Sequence, residues 1–252
     1  MKQFVRSYWK IILFFGIIGL IGGYFVGLYA LDSYPVELQQ QILDQGLTRP
    51  LLGLVTAVQS AGYGLVLGAL GILLSKKIGL WKDSFRFAKR PAAAAIVVSV
   101  IGGLVLILSD LLMFGKFEPI LLDAYADKPS LSYVAATVTY GGVIEEVMLR
   151  LFLMSLIAFV LHKLLERGKD TPSVAVLVAA NVISALLFAA GHLPFTFMAI
   201  GSSFMIILRC FLLNGGIGLM FGRLYRKHGI AYAMIAHAGC HIVSKLIWVL
   251  FL

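Results

Sequence analysis

The sequence predicts an all-α fold: a polytopic membrane bundle of about seven transmembrane helices, forming a single integral-membrane domain over residues 1–252. Three observations predict it. The chain is 60% hydrophobic and only 13% charged, where a soluble domain is near half apolar and a quarter charged. Apolar runs of about twenty residues recur, long enough at about 1.5 Å per residue to cross a hydrocarbon layer of about 30 Å. Basic and acidic residues also fall into alternate loops, as membrane topology requires. That sorting explains the net charge of +9 and excludes a nucleic-acid-binding reading.

The first expected span is Ile11 to Leu31, behind Lys2, Arg6 and Lys10; it is too long for a signal h-region and reads as an anchor with its N-terminus inside. An acidic loop, Asp32 to Arg49, leads to a second span over Pro50 to Ser75. Lys76, Lys77, Lys82, Arg86, Lys89 and Arg90 then mark a cytoplasmic loop, in which Trp81 and Phe85 suit an interfacial helix. The third span, Pro91 to Phe114, carries Asp110 near its outer end, and the loop Gly115 to Ser130 is acidic. Leu131 to Leu161 is longer than one straight crossing needs, and Gly141-Gly142 is the expected kink. His162, Lys163, Arg167 and Lys169 form a second basic cluster. The fifth span runs from Ser173 to His192 and stops at Pro194. The sixth covers Phe197 to Phe221, with Arg209 and Asn214 inside it. Arg223, Arg226, Lys227 and His228 form the third basic cluster, and Gly229 to Leu252 is the seventh span. Seven spans put every basic cluster on one face, the N-terminus in the cytoplasm and the C-terminus outside.

Charged groups at bilayer depth are costly and mark functional sites by default. Glu145, Glu146 and Arg150 lie inside an otherwise apolar stretch. Glu146 and Arg150, four apart with the acid first, form an intrahelical ion pair, and Glu145 points about 100° away from it. Asn181, Phe188 and His192 share one helical face; His237, His241 and Lys245 share another. Lys245 is expected to snorkel outward, and Asp110 and Arg209 to pair with one another or edge a cavity. His162 and His228, among lysines and arginines, read as interfacial. Cys210 and Cys240 lie in apolar segments and read as packing residues. A desolvated carboxylate is a usable base near neutral pH, and imidazoles polarise water or donate to an oxyanion. The same set, Glu145 with His192, His237 and His241, could equally bind zinc, although no His-Glu-x-x-His arrangement is present. Serine-elbow, P-loop and dinucleotide motifs are absent.

Glu145-Glu146-x-x-x-Arg150, Phe188-x-x-x-His192 and His237-x-x-x-His241 together resemble the three-motif signature of the type II CAAX prenyl protease family. This is the CAAX protease and bacteriocin-processing, or Abi, family of intramembrane glutamate proteases. The stretch Gly218-x-x-x-Gly222-Arg-Leu-Tyr225 before Gly229 resembles the family too, and the likeness covers about residues 131–252. The resemblance implies helices around a polar cavity. In it Glu145 activates water with help from His192, and His237 and His241 stabilise the oxyanion. Glu146 and Arg150, with Phe188 beside His192, would support them. No cofactor is implied. Two positions depart from the family pattern: His241 stands where eukaryotic-type members have Asn, and Leu149-Arg150-Leu151 stands where many bacterial members have Phe-Arg-Gly.

The expected function is therefore intramembrane endopeptidase, acting on a membrane-associated peptide or protein, in the cell membrane of a prokaryote. A non-catalytic immunity or scaffold protein using the same cavity is one alternative, and a proton-coupled transporter is the other. One geometric conflict remains. Simple spans leave His192 and His237 about 15–20 Å apart in depth, so a break at Gly141-Gly142 or at Gly191-His192-Leu193-Pro194 is expected.

Overall fold

The computed structural model describes residues 2–252 and is helical almost throughout, with no strand among those residues. The long elements are α1 (Lys2–Asp32), α3 (Arg49–Lys77), α4 (Lys89–Phe117), α6 (131–165), α7 (Val174–Ile200), α8 (Phe204–His228) and α9 (Ile230–Phe251). Two short helices, α2 (Val36–Asp44) and α5 (Ile120–Asp123), lie in the acidic loops. Six of the long helices are apolar enough to cross a membrane. The seventh is α6, which carries Glu145, Glu146 and Arg150.

Small residues let α1 and α3 pack backbone to backbone. A Cβ at Gly19 would lie 2.5 Å from the Ser60 carbonyl oxygen, and Thr56 Oγ1 donates to the Gly23 carbonyl across the pair at 2.7 Å. α9 packs along α4 and along α6. A buried apolar core, including Phe15, Ile72, Val147, Leu151, Phe221 and Met234, joins α1, α3, α6, α8 and α9 towards the end that bears the basic loops.

Several expected boundaries move. Residues 78–88 form no interfacial helix: Gly79, at φ +71°, ends α3, and the loop tucks Ile78 and Leu80 into the core. Ser84 Oγ then accepts from the Ala231 N–H, and Tyr232 Oη donates to the Arg86 carbonyl, clamping the loop to the start of α9. α6 does not break at Gly141-Gly142. It runs unbroken through two π-helical stretches, Thr137–Glu145 and Val147–Met154. The glycines serve close approach instead: a Cβ at Gly142 would sit 2.6 Å from that of Ala238 on α9. α7 does not stop at Pro194 but continues to Ile200, ending at Gly201 with φ +99°. Proline removes a single backbone donor, and the helix carries on past it. α8 accordingly begins at Phe204 rather than near Phe197.

Asp110 and Arg209 do pair. The Arg209 guanidinium donates through Nε and Nη2 to the two Asp110 carboxylate oxygens at 2.5 and 2.7 Å, and Tyr125 Oη donates to Asp110 at 2.9 Å. This cluster ties α4 to α8 and to the loop after α4, near the end opposite the basic loops.

Candidate active site

Side chains from α6, α7 and α9 meet at one point. Glu145 Oε1 lies 3.9 Å from His192 Nε2, and Glu145 Oε2 lies 3.9 Å from His237 Nε2. The 15–20 Å conflict in depth disappears because α7 extends beyond Pro194. His192 is then eight residues short of the helix end rather than at it.

Each histidine is held through its other nitrogen. His192 Nδ1 is 2.9 Å from the Phe188 carbonyl oxygen, one turn earlier on α7. His237 Nδ1 is 2.9 Å from Glu146 Oε1. A neutral ring donating from Nδ1 keeps its lone pair on Nε2. Both Nε2 atoms therefore face the Glu145 carboxylate, at separations beyond hydrogen-bond range. This end of the cluster is partly accessible: the side chains of Glu145 and His192 are 18% and 32% exposed.

Beneath it everything is closed. Glu146 and Arg150 are fully buried and paired at 2.8 Å, as the spacing predicts. Arg150 Nη2 donates to the Gly218 carbonyl at 3.1 Å, and its guanidinium lies over Phe188, 4.5 Å from the ring centroid. Gly218 makes room for it, since a Cβ there would come within 2.7 Å of Nη2. Gly222 likewise makes room for the Asn181 amide, which donates to the Leu219 carbonyl at 3.0 Å. Asn181 thus shares a face with His192 but serves the α7–α8 contact.

Phe221 stacks on the His237 ring at 4.5 Å and 22°, and Phe188 meets it edge-on at 5.9 Å. Phe221 is the site residue that sequence spacing did not reveal, although it sits inside the Gly218–Gly222 stretch that carries part of the resemblance. His241 lies beside His237, ring centroids 5.1 Å apart. Gly141 faces it: a Cβ at that position would be 3.3 Å from His241 Nε2 and 3.8 Å from Glu145 Oε2. Having no side chain, Gly141 keeps the space between the two groups open.

Lys245 differs from expectation. It does not snorkel outward but is 5% exposed, with Nζ 4.2 Å from the centroid of the Tyr133 ring. Its face of α9 packs on α6, and the ammonium is buried against that ring. His162 and His228 stay outside the site: His162 bonds Glu166 at 3.1 Å, and His228 meets Tyr232 edge-on. Glu145, His192 and His237 point lone pairs at a common space. Among the described residues, however, no group of three or more His, Cys, Asp or Glu side chains is arranged to hold a metal ion.

Residues 127–243 match the family model described as type II CAAX prenyl endopeptidase Rce1-like. No curated protein and no solved structure shows significant similarity to the chain. The matched segment contains Glu145, Glu146, Arg150, Phe188, His192, His237 and His241, and over that segment the chain is similar to the Rce1-like, type II CAAX prenyl endopeptidase family.

Proposed function

We propose that the chain is an intramembrane endopeptidase that cleaves a membrane-associated peptide or protein using water activated by Glu145. One observation carries the reading: a carboxylate and two imidazoles from three helices face one another at 3.9 Å, each imidazole fixed through its far nitrogen. Three acceptors around one space favour a molecule with two protons to give, and water is that molecule.

The steps follow from the placement. Water held among Glu145, His192 and His237 loses a proton to Glu145 as its oxygen bonds to the peptide carbonyl carbon. The carbonyl oxygen becomes an oxyanion, and His241, across the Gly141 gap, is placed to donate an N–H to it. His237, tied through Nδ1 to Glu146, holds the water as an acceptor through Nε2 and leaves the oxyanion to His241. Arg150 fixes Glu146 and does not reach the reacting atoms. The carbon–nitrogen bond then breaks as Glu145 returns its proton to the leaving amine. Every step uses side chains of this chain alone, and we assign no metal a role. In this reading the protein sits in a prokaryotic cell membrane with its N-terminus and basic loops in the cytoplasm.

The test is Glu145→Gln in purified protein, with cleavage of a fluorogenic membrane peptide as the readout. A general base contributes about 10²–10⁴-fold, so kcat should fall by that factor with KM little changed. Unchanged kcat would sink the mechanism, and a non-catalytic peptide-binding role or proton transport would then stand in its place.

A further inference from the structure

Two helix faces near the basic loops play no part in the proposed chemistry. Leu70, Leu73, Leu74 and Lys77 recur at three- and four-residue intervals and share one face of α3. Phe152, Leu156, Phe159 and Lys163 do the same on α6. Each face is apolar and ends in a lysine at the end that bears the basic loops. Between the two helices lies a groove of about 760 Å³, lined by Leu70, Leu73, Leu74, Phe152 and Leu156 together with Lys76 and Lys77. Behind it α3 and α6 close on one another at Gly71, where a Cβ would come within 2.9 Å of the Leu151 carbonyl oxygen. None of Glu145, His192 and His237 lines the groove, so it is separate from the candidate active site.

The charge at its loop end is unbalanced. The Nζ atoms of Lys77 and Lys163, from two different helices, lie 5.1 and 5.5 Å from the centroid of one ring, that of Phe159. Lys76 Nζ lies 4.7 Å from the centroid of the Tyr8 ring and donates to its hydroxyl at 2.9 Å. Among the described residues no carboxylate oxygen comes within 4.0 Å of these three ammonium groups. The acids nearest in sequence are engaged elsewhere: Glu166 with His162, Lys169 and the Ser173 N–H, and Asp83 with Arg86. Ammonium groups gathered in this way repel one another, and the ring faces offset that only in part. An anion completes the arrangement.

The groove decides what kind of anion. From Lys77 back to Leu70 is about 10 Å along α3, at about 1.5 Å per residue. That is most of the hydrocarbon depth of one leaflet, half of about 30 Å. A soluble anion has nothing to lay against Leu70, Leu73 and Phe152. A phospholipid has an acyl chain for them, and its phosphate lies at the level of the lysines. Basic pockets between transmembrane helices take anionic headgroups in this way. A zwitterionic headgroup brings its own ammonium into the same space and loses the net attraction.

We infer that the groove between α3 and α6 binds one anionic phospholipid, with its phosphate between Lys77 and Lys163, Lys76 at the rim, and an acyl chain along Leu70, Leu73 and Phe152. The site stands whether or not Glu145 activates water.

The probe is phosphatidylglycerol against phosphatidylcholine with the same acyl chains, in equal amounts in detergent micelles with the purified protein. Bound lipid is counted by native mass spectrometry. One phosphatidylglycerol per chain should be retained. A surface lysine contributes about fivefold to anionic-lipid binding, so Lys77 and Lys163 should give a preference of about 25-fold over phosphatidylcholine. Lys77→Gln with Lys163→Gln should remove that factor, and either change alone about fivefold of it. Lys76→Gln should lower the preference by less, since its ammonium is shared with Tyr8. Lys169→Gln, at the same end but paired with Glu166, should leave it unchanged. Leu73→Trp fills the groove without touching its charge and should reduce retention of both lipids. Equal retention of the two lipids, or a preference that survives the double lysine change, overturns the site and leaves the groove covered by bulk lipid only. Displacement of the lipid by millimolar inorganic phosphate would make the lysines a site for a soluble anion and overturn the lipid assignment.

Discussion

Two polar clusters sit within this bundle and differ in one respect. Around Asp110, each carboxylate oxygen meets the guanidinium of Arg209, and Tyr125 adds a third donor. Around Glu145, two imidazole nitrogens and both carboxylate oxygens face one another without a bond, while Glu146 Oε2 is buried without a partner. The first cluster is complete, and it joins helices. The second is incomplete, and it lies within the segment that the family model matches. In a membrane interior, then, an unfinished polar cluster is a better sign of chemistry than charge alone.

The comparison can be broken most forcefully at the completed pairs. Arg150→Met leaves Glu146 buried without its guanidinium partner, and Arg209→Met does the same to Asp110; each should cost about 3–5 kcal/mol. Thermal unfolding in detergent would show it. The double change Glu146→Leu with Arg150→Met should recover most of the loss and still be inactive. Gly142→Ala drives a methyl to 2.6 Å from Ala238 Cβ and should cost about 1–3 kcal/mol, with activity falling as α6 and α9 separate. At the open cluster the effect on stability reverses in kind. Glu145→Gln should lower kcat by the factor given above yet leave the unfolding temperature unchanged or slightly higher, because its nearest imidazole nitrogens are beyond hydrogen-bond range and no such bond is lost. A large loss of stability there would mean that Glu145 is structural, and the contrast between the clusters would fail.

The smallest effect belongs to the turn between α6 and α7. Glu166 accepts from the Ser173 N–H at 2.9 Å, His162 at 3.1 Å and Lys169 at 3.0 Å. Hydrogen bonding to Ser173, then to His162, holds its carboxyl well below the ordinary value of 4.5. A folded value below the unfolded one stabilises the protein above pH 4.5, and the benefit fades as pH falls through the depressed folded value. Protein with Glu166→Gln should therefore show a shallower loss of unfolding temperature than the parent on acidification below 4.5. Parallel curves would discount the turn.

Much of this was legible in the residues. Runs of apolar residues and the sorting of loop charge gave the order and number of long helices. The i, i+4 spacings gave the Glu146–Arg150 pair and the His237–His241 face. What sequence did not reveal was decided between helices. Pro194 reads as a stop, but α7 continues because one missing donor is tolerable in a packed bundle. Gly141-Gly142 reads as a kink, but the need there is for closeness to α9. Lys245 reads as a snorkelling residue, and only the packing of α9 on α6 reveals that it is buried against Tyr133. Phe221 carries no local sign that it will lie flat on an imidazole from the next helix.

The π-helical stretches of α6 lie on both sides of Glu146. Each such turn accommodates a residue that an α-turn would not, so an extra residue is taken up locally. Removing one residue from the stretch beyond Arg150 would relax a wide turn to an ordinary one and leave the rods on either side close to their present faces. Single insertions or deletions there can thus change the length of α6 while Glu145 keeps its neighbours on α7 and α9.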